Sequence, residues 1–355
     1  MFKANDYMNL FKNIGDDPQK FPLESKLLLK ELDLMKILLP VFSKNESIDV
    51  NNPQNLLNIL FELGKGNLSI GRIIEGHINA LLLINAYGTE NQKKKYFEKA
   101  QEKALFGVWN TEASSENVRI RKKDENFFLE GAKNFCSGGT NLSMAIVTAE
   151  RSKKPQMILM DISEETPLEA DWSLWNPIGM RASVSCKIDF SGIKISADQF
   201  LGNPGDYFKE PHFSWGGVRF SAVQLGGAKT IFDRTLQHLK KQKRNSDPYQ
   251  KQRLGKMAIL MESAEQWIYH AIVFESQLEE ASIKNKVNFA NMMRYATLDI
   301  CEEIISLAEK AVGVQASMKN HPLEQPIRDL RVYLKQAGPD AALASVGDFV
   351  TREKK

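Results

Sequence analysis

The chain has 355 residues, 43% of them apolar and 26% charged, and its 47 basic and 44 acidic side chains leave a net charge of +3. That composition is ordinary for a globular protein and excludes disordered and fibrous classes. So even a charge balance gives no electrostatic case for a nucleic acid or a membrane surface as partner.

Cys136, Cys186 and Cys301 are widely spaced and form no Cys-x-x-Cys pair. The spacing argues against a disulfide framework or a zinc site, so no metal is expected and a reducing, cytoplasmic setting fits best. The start, Met1 to Tyr7, has no apolar core of signal-peptide length, and the stretch from Asn79 to Tyr87 is too short to span a bilayer.

In chain order, Leu23 to Leu39 reads as a Leu-rich helix stopped by Pro40, and Asn52-Pro53 opens another running to Leu63. Ile70, Ile73, Ile74, Ile78, Leu81 and Leu82 form one helical stripe, predicting a helix from Ser69 to Tyr87. Gly88 is expected to end it in a left-handed conformation. Thr89 with Gln92 predicts a capping box at the head of a helix from Glu90 to Ala100.

After residue 104 the period changes. Val184, Cys186, Ile188 and Phe190 alternate with polar residues, and further strands are predicted over Phe106 to Thr111, Val118 to Lys122, Phe127 to Leu129, Ala145 to Ala149 and Met157 to Asp161. Turns rather than helices join most of them, which predicts an antiparallel sandwich or barrel. Beyond Pro211 the helical period returns, over about Val218 to Leu239, Lys251 to Glu280 and Val287 to Val312, with a last short helix from Asp340. The expected architecture is a multi-domain α+β chain: an N-terminal helical domain over 1–103, a middle antiparallel β domain over 104–212 and a C-terminal four-helix bundle over 213–355.

No Gly-x-Gly-x-x-Gly after a strand, Walker loop, Gly-x-Ser-x-Gly or His-Glu-x-x-His is present. Two short segments stand out instead, Phe106 to Glu112 and Ala132 to Gly139. Each sits at a strand end framed by glycine and can offer backbone amides, a hydroxyl or an aromatic face to one flat polar ring. Together with Ala86-Tyr87-Gly88-Thr89-Glu90-Asn91-Gln92-Lys93, Thr111-Glu112, Gly131-Ala132-Lys133-Asn134-Phe135-Cys136-Ser137, Pro177-Ile178-Gly179-Met180-Arg181-Ala182-Ser183, Arg219 and Arg328-Asp329, their order and spacing resemble the acyl-CoA dehydrogenase family from about residue 20 to 350.

The resemblance implies FAD held between the β domain and the bundle. Asn110 and Thr111 fall where the family meets the pyrimidine edge of the flavin, Ser137 near its N5 and O4 region, and Phe135 where an aromatic ring, usually Trp, packs on it. Arg244 stands near the family's diphosphate-binding arginine segment without the usual Phe-Gly, and Gly313 near its glycine stretch by the adenine half. The family's proton-abstracting Glu has no counterpart: Ala337 takes its usual place, and Val218 takes the alternative place before Arg219. Asp340 is the nearest carboxylate, either a helix N-terminal group or a relocated base. Arg219 is expected either to face the substrate cleft or to pair with the segment near Asp329, and Cys136 reads as a packing residue.

The implied function is an FAD-dependent oxidoreductase acting on a CH-CH bond of an acyl thioester or related substrate. The alternatives are a flavin-dependent monooxygenase on the same fold and a non-catalytic FAD- or acyl-binding protein. The implied partners are the small-molecule substrate, an electron acceptor or reductase, and further copies of the chain in a homodimer or homotetramer.

Overall fold

The computed structural model describes residues 53–102, 104–114, 116–162, 168–276, 282–336 and 338–352. The expected helix from Leu23 to Leu39, the start of the chain and Ala337 lie outside them.

Helices α1 (Pro53–Gly66), α2 (Leu68–Tyr87) and α3 (Glu90–Gln101) come first. The Ile and Leu stripe of α2 is buried as its period predicts. Asn67 caps α2 by accepting from the Ile70 N–H at 3.1 Å. The capping box of α3 is present, and Gln92 reaches further to donate to the Asp198 and Phe200 carbonyls, tying α3 to the β region. Gly88 ends α2 in an extended rather than a left-handed conformation, with φ −74°. Its lack of a side chain is needed for close approach, because a Cβ there would lie 2.5 Å from the Ile84 carbonyl oxygen.

The β region holds β1 (Phe106–Trp109), β2 (Arg119–Lys123), β3 (Asn126–Glu130), β4 (Ala132–Cys136), β5 (Met144–Arg151), β6 (Lys154–Asp161), β7 (Glu169–Asp171), β8 (Cys186–Asp189), β9 (Lys194–Ile195) and β10 (Phe200–Leu201). One sheet runs β10-β6-β5-β2-β3-β9 with β1 also on β5, and a second runs β4-β8-β7. The middle region is not wholly antiparallel as expected: β1 lies parallel to β5, from Phe106 opposite Met144 to Trp109 opposite Val147. The β2, β3 and β4 segments between them form the long crossover that a parallel pair needs. The strand predicted from Val184 begins at Cys186, because Val184 takes a left-handed conformation with φ 42°.

The C-terminal helices are α4 (His212–Lys241), α5 (Pro248–Ser276), α6 (Ile283–Val312), α7 (Glu324–Tyr333) and α8 (Pro339–Arg352). The three long helices start earlier than their apolar stripes, since each opens on residues that stay exposed, Phe213, Tyr249 and Ile283 among them. Helix α7 has no counterpart in the sequence reading. It is ten residues long with Pro326 in its first turn, a position that tolerates proline but hides the helical period. One apolar core runs from α1 and α2 into the bundle and the β region. A second, of Leu81, Ile84, Phe97, Phe106 and Ile146 among others, joins α2 and α3 to β1 and β5. Among the described residues no helix is long and apolar enough to cross a membrane.

Candidate functional site

Trp109 to Glu112 lies side by side with Lys133 to Ser137, as a ledge. Glu112 bridges antiparallel to Lys133, the Asn134 N–H donates to the Thr111 carbonyl at 2.9 Å, and the Trp109 indole N–H donates to the Ser137 carbonyl at 3.1 Å. The two segments singled out in the sequence are therefore one structural unit.

Lys133 fixes their register. Its side chain is fully buried, and its Nζ donates to the Asn110 carbonyl at 3.1 Å, Thr148 Oγ1 at 3.0 Å and Glu112 Oε1 at 2.5 Å. Burial holds the ammonium below its usual range, and the Glu112 carboxylate opposes that shift. Asn110 is used inward as well, its Oδ1 accepting from Thr148 Oγ1 at 2.8 Å. The side chain of Asn110 thus builds the ledge and leaves its surface to Thr111, Phe135 and Ser137. Sequence reasoning missed Lys133, although a lysine at an apolar position of a strand was the available signal.

Thr111 is exposed, and among the described residues no hydrogen bond takes its hydroxyl. Phe135 is 60% exposed at a left-handed backbone position, φ 55°, with its ring edge-on to Trp175. An exposed aromatic face on a strained residue is costly unless something flat covers it. The Ser137 hydroxyl shares a hydrogen bond of 2.9 Å with Ser185, which continues to Ser183 at 3.1 Å. An aromatic face, a free hydroxyl and a serine chain on one ledge suit a planar ring with a polar edge. The neighbouring Cys136 is a buried free thiol pushed well above its usual range by burial, which agrees with a packing role.

Arg219 does not pair with Asp329. The Asp329 carboxylate instead accepts from the Met180 N–H at 2.7 Å. The Arg219 Nε donates to Asn79 Oδ1 at 2.5 Å, inside a polar cluster contributed by α2, α4, α5 and the turn at Tyr207, with Tyr333 of α7 acting on Arg72. In that cluster Arg72 pairs with Glu75 Oε2 at 2.5 Å, and Asn79 Nδ2 donates to Glu75 Oε1. Glu75 is 2% exposed. Burial pushes the Tyr207 hydroxyl up to about 12, and burial also raises the Glu275 carboxyl, against the opposing pull of Arg219 and Trp215. Sequence reasoning passed over Arg72, Glu75 and Asn79, whose spacing on α2 places three polar groups on one side of an otherwise apolar helix.

Arg72 also lines a cavity of about 10 Å³ with Gly76, Val108 and Ser137, so the cluster begins where the ledge ends. A roomier cavity of about 180 Å³ lies elsewhere, among Lys65, Thr230, Arg234, Lys319 and Asp329.

The remaining expected residues stand apart from the ledge. Arg244 is exposed in the turn between α4 and α5, and Gly313 caps α6 at φ 74°. Both belong to the same end of the bundle, where Gln250 near the start of α5 donates to the Ala311 carbonyl near the end of α6 at 3.4 Å. Asp340 is exposed in the first turn of α8, and Val218 is fully buried in α4.

His77 links α2 to the ledge strand, its Nδ1 accepting from the Phe106 N–H at 3.1 Å. Burial pushes its pKa down from 6.5 to about 3. Between those values the unfolded chain binds a proton that the folded chain refuses, so this contribution is complete above 6.5 and is lost as pH falls. At a pH near ~5 the loss is expected to be about 2 kcal/mol. Urea midpoints measured across that range should slope less in a His77→Asn variant, and an unchanged slope would remove His77 as the cause.

Comparison with known proteins follows the same lines. The sequence profile of the acyl-CoA dehydrogenase C-terminal domain matches residues 206–346. The chain is 26% identical to the mitochondrial short/branched chain specific acyl-CoA dehydrogenase of Bos taurus, over 77% of this chain and 66% of that protein. The fold is similar to butyryl-CoA dehydrogenase from Megasphaera elsdenii, with a TM-score of 0.79 at 18% identity over 99% of this chain and 100% of that one. It is equally similar to FMN-bound TdsC, a dibenzothiophene monooxygenase from Paenibacillus sp. A11-2, with a TM-score of 0.82 at 16% identity over 98% and 97% of the two chains.

Proposed function

The chain belongs to the acyl-CoA dehydrogenase family, and from that premise we propose that it is an FAD-dependent oxidoreductase that seats its flavin on the ledge of Thr111, Phe135 and Ser137. The observation that carries this reading is the buried Lys133, which holds two strand ends together and leaves the Phe135 face and the Thr111 hydroxyl exposed, with the Ser137 hydroxyl beside them on Ser185. Bound flavin supplies two-electron redox chemistry and, once reduced, reactivity toward oxygen. The Thr111 and Ser137 hydroxyls orient its polar edge, and Phe135 covers one face of the ring.

On the substrate side, oxidation of a CH-CH bond beside a thioester carbonyl requires a group that accepts the α proton. Val218 is a buried alkyl group and Asp340 is exposed on α8. The sequence has alanine at 337. These three residues favour a second reading, a monooxygenase reaction, in which no α proton has to be removed by the protein. In both readings the substrate is a small molecule, an acyl thioester or a related compound, and an external redox partner completes the cycle. Arg244 and Gly313 gather at the bundle end, away from the ledge, which suits a flavin site completed by a second copy of the chain in a homodimer or homotetramer.

The test begins with the absorption band of oxidised flavin in the purified protein. Bleaching by an acyl thioester without oxygen is the result expected of a dehydrogenase. Bleaching only by an external reductant, followed by oxygen-dependent product, is expected of a monooxygenase. A protein that stays colourless after incubation with FAD would end both readings.

A further inference from the structure

We propose that the cavity of about 180 Å³ between the α1–α2 junction, α4 and the connection from α6 to α7 binds a phosphoryl group, carried by inorganic phosphate or a small phosphate monoester. None of the residues lining it belongs to the ledge, so the site stands whether or not flavin is seated there.

Hydrogen bonds between the three segments fix the walls. Thr230 Oγ1 on α4 donates to the Lys65 carbonyl near the end of α1 at 2.7 Å, and Arg234 Nη1, one turn further along α4, donates to the Pro322 carbonyl of the connection. His321 is held as well. Its Nδ1 accepts from the Leu323 N–H at 3.2 Å, so its Nε2 carries the proton and donates to His238 Nδ1 at 3.1 Å. Burial lowers its pKa, which keeps the ring neutral near pH 7 and adds no charge to the wall.

Donors face the cavity from all three sides. Asn67 is only 9% exposed, and its Oδ1 accepts from the Ile70 N–H at 3.1 Å. That bond fixes which way the amide points and leaves Nδ2, without a partner among the described residues, on the lining of the cavity. Arg234 has only its bond to Pro322, and burial lowers its pKa with no neighbouring carboxylate to oppose the shift. Lys319 is exposed on the third side and has no ion pair among the described residues. The other charges are matched. Lys65 pairs with Glu62 at 2.8 Å, and Asp329, the one carboxylate among the lining residues, accepts from the Met180 N–H at 2.7 Å and lies 3.7 Å from Arg328. Arg234 and Lys319 are left as cations without a counter-charge.

The spread of the donors selects the anion. A carboxylate has its oxygens in one plane and suits a single guanidinium fork, whereas a phosphoryl group spreads three oxygens in three directions and brings up to two negative charges to two cations. Asn67 also stands at the head of α2, a helix of 20 residues whose first amides and dipole favour the same sign of charge. The volume leaves room for several further atoms beside the phosphoryl group.

The experiment is equilibrium dialysis of the full chain against radiolabelled inorganic phosphate, with chloride holding the ionic strength constant. One saturable site per chain is expected, with a Kd of about 1 mM or tighter. In Asn67→Asp the new carboxylate still caps the Ile70 N–H, so the fold persists, but it replaces the amide donor with a negative charge, and phosphate affinity should fall by more than about tenfold. Arg234→Gln should lose roughly tenfold, and Lys319→Gln, an exchange at an exposed position that leaves the fold intact, roughly threefold. Tighter binding of glycerol 3-phosphate than of phosphate assigns the site to a monoester, and the reverse order assigns it to the free ion. No saturable uptake, or an Asn67→Asp protein that binds phosphate as well as the original, would overturn the proposal. Displacement of phosphate by FAD would overturn it too, by giving the pocket to the cofactor's own diphosphate. A colourless protein that binds phosphate rejects the flavin reading alone, and a yellow protein that binds none rejects the phosphoryl site alone.

Discussion

A Gly226→Ala variant will be destabilised by about 3 kcal/mol, the upper part of the range for an added methylene in a packed interior. Helices α1 and α4 cross with their backbones in contact. A Cβ on Gly226 would lie 2.0 Å from the Phe61 carbonyl oxygen, and a Cβ on Gly64 would lie 2.0 Å from the Val223 carbonyl oxygen. Both obstacles are backbone, so no rotamer change relieves them. Alanine gains up to about 1 kcal/mol over glycine in helix propensity, which is too little to offset the separation of two helices. Gly255, on α5, is the control, because a Cβ there meets nothing within 4 Å. Gly255→Ala should stabilise by about 0.5 to 1 kcal/mol through propensity alone. Urea midpoints that move the same way in both variants would mean the α1 and α4 backbones do not touch. The contact matters beyond stability, since α4 also carries Arg219 and so sets its approach to Asn79 on α2.

What the sequence could reveal followed from how local each signal was. The stripe of α2 and the Thr89 and Gln92 capping box are set by neighbours within a turn or two, and both stand as expected. The parallel pairing of β1 with β5 depends on residues about forty apart, and no periodicity within either strand encodes it. The left-handed Val184 and the extended Gly88 depart from what their residue types suggest, and nothing in their immediate sequence marks either departure. Thr111, Phe135 and Ser137 were legible as two framed segments, and the structure joins them. Their internal support was only half legible: Lys133 stands at an apolar position of its strand, but the acceptors that converge on it lie 15 to 23 residues away in sequence. Arg219 was legible as a residue of interest, while its partners were not: its contact with Asn79 spans 140 positions.

Lys133→Met is expected to cost about 3 kcal/mol and to empty the protein of flavin. Methionine has nearly the length of lysine and fills the buried stem, so the loss comes from the ammonium rather than from a cavity. Removing it leaves the Asn110 carbonyl, Thr148 Oγ1 and Glu112 Oε1 without their shared donor. Breaking a buried ion pair by deleting one partner typically costs about 3 to 5 kcal/mol. The lower end applies because the Glu112 side chain is 40% exposed and can recover water, whereas Lys133 is fully buried. Glu112→Gln, which keeps an acceptor oxygen for the ammonium, should therefore be the milder change. The functional loss should exceed the stability loss in kind. Once the donor is gone, the Asn110 carbonyl loses its tie to the strand that carries Phe135, and the register of the ledge rests on the backbone bonds around Thr111 and Asn134 and on the Trp109 indole alone. The ratio of flavin absorbance to protein absorbance, read well below the melting temperature, separates the two effects. A folded Lys133→Met protein that retains a full complement of flavin would show that the ledge is not where the ring sits.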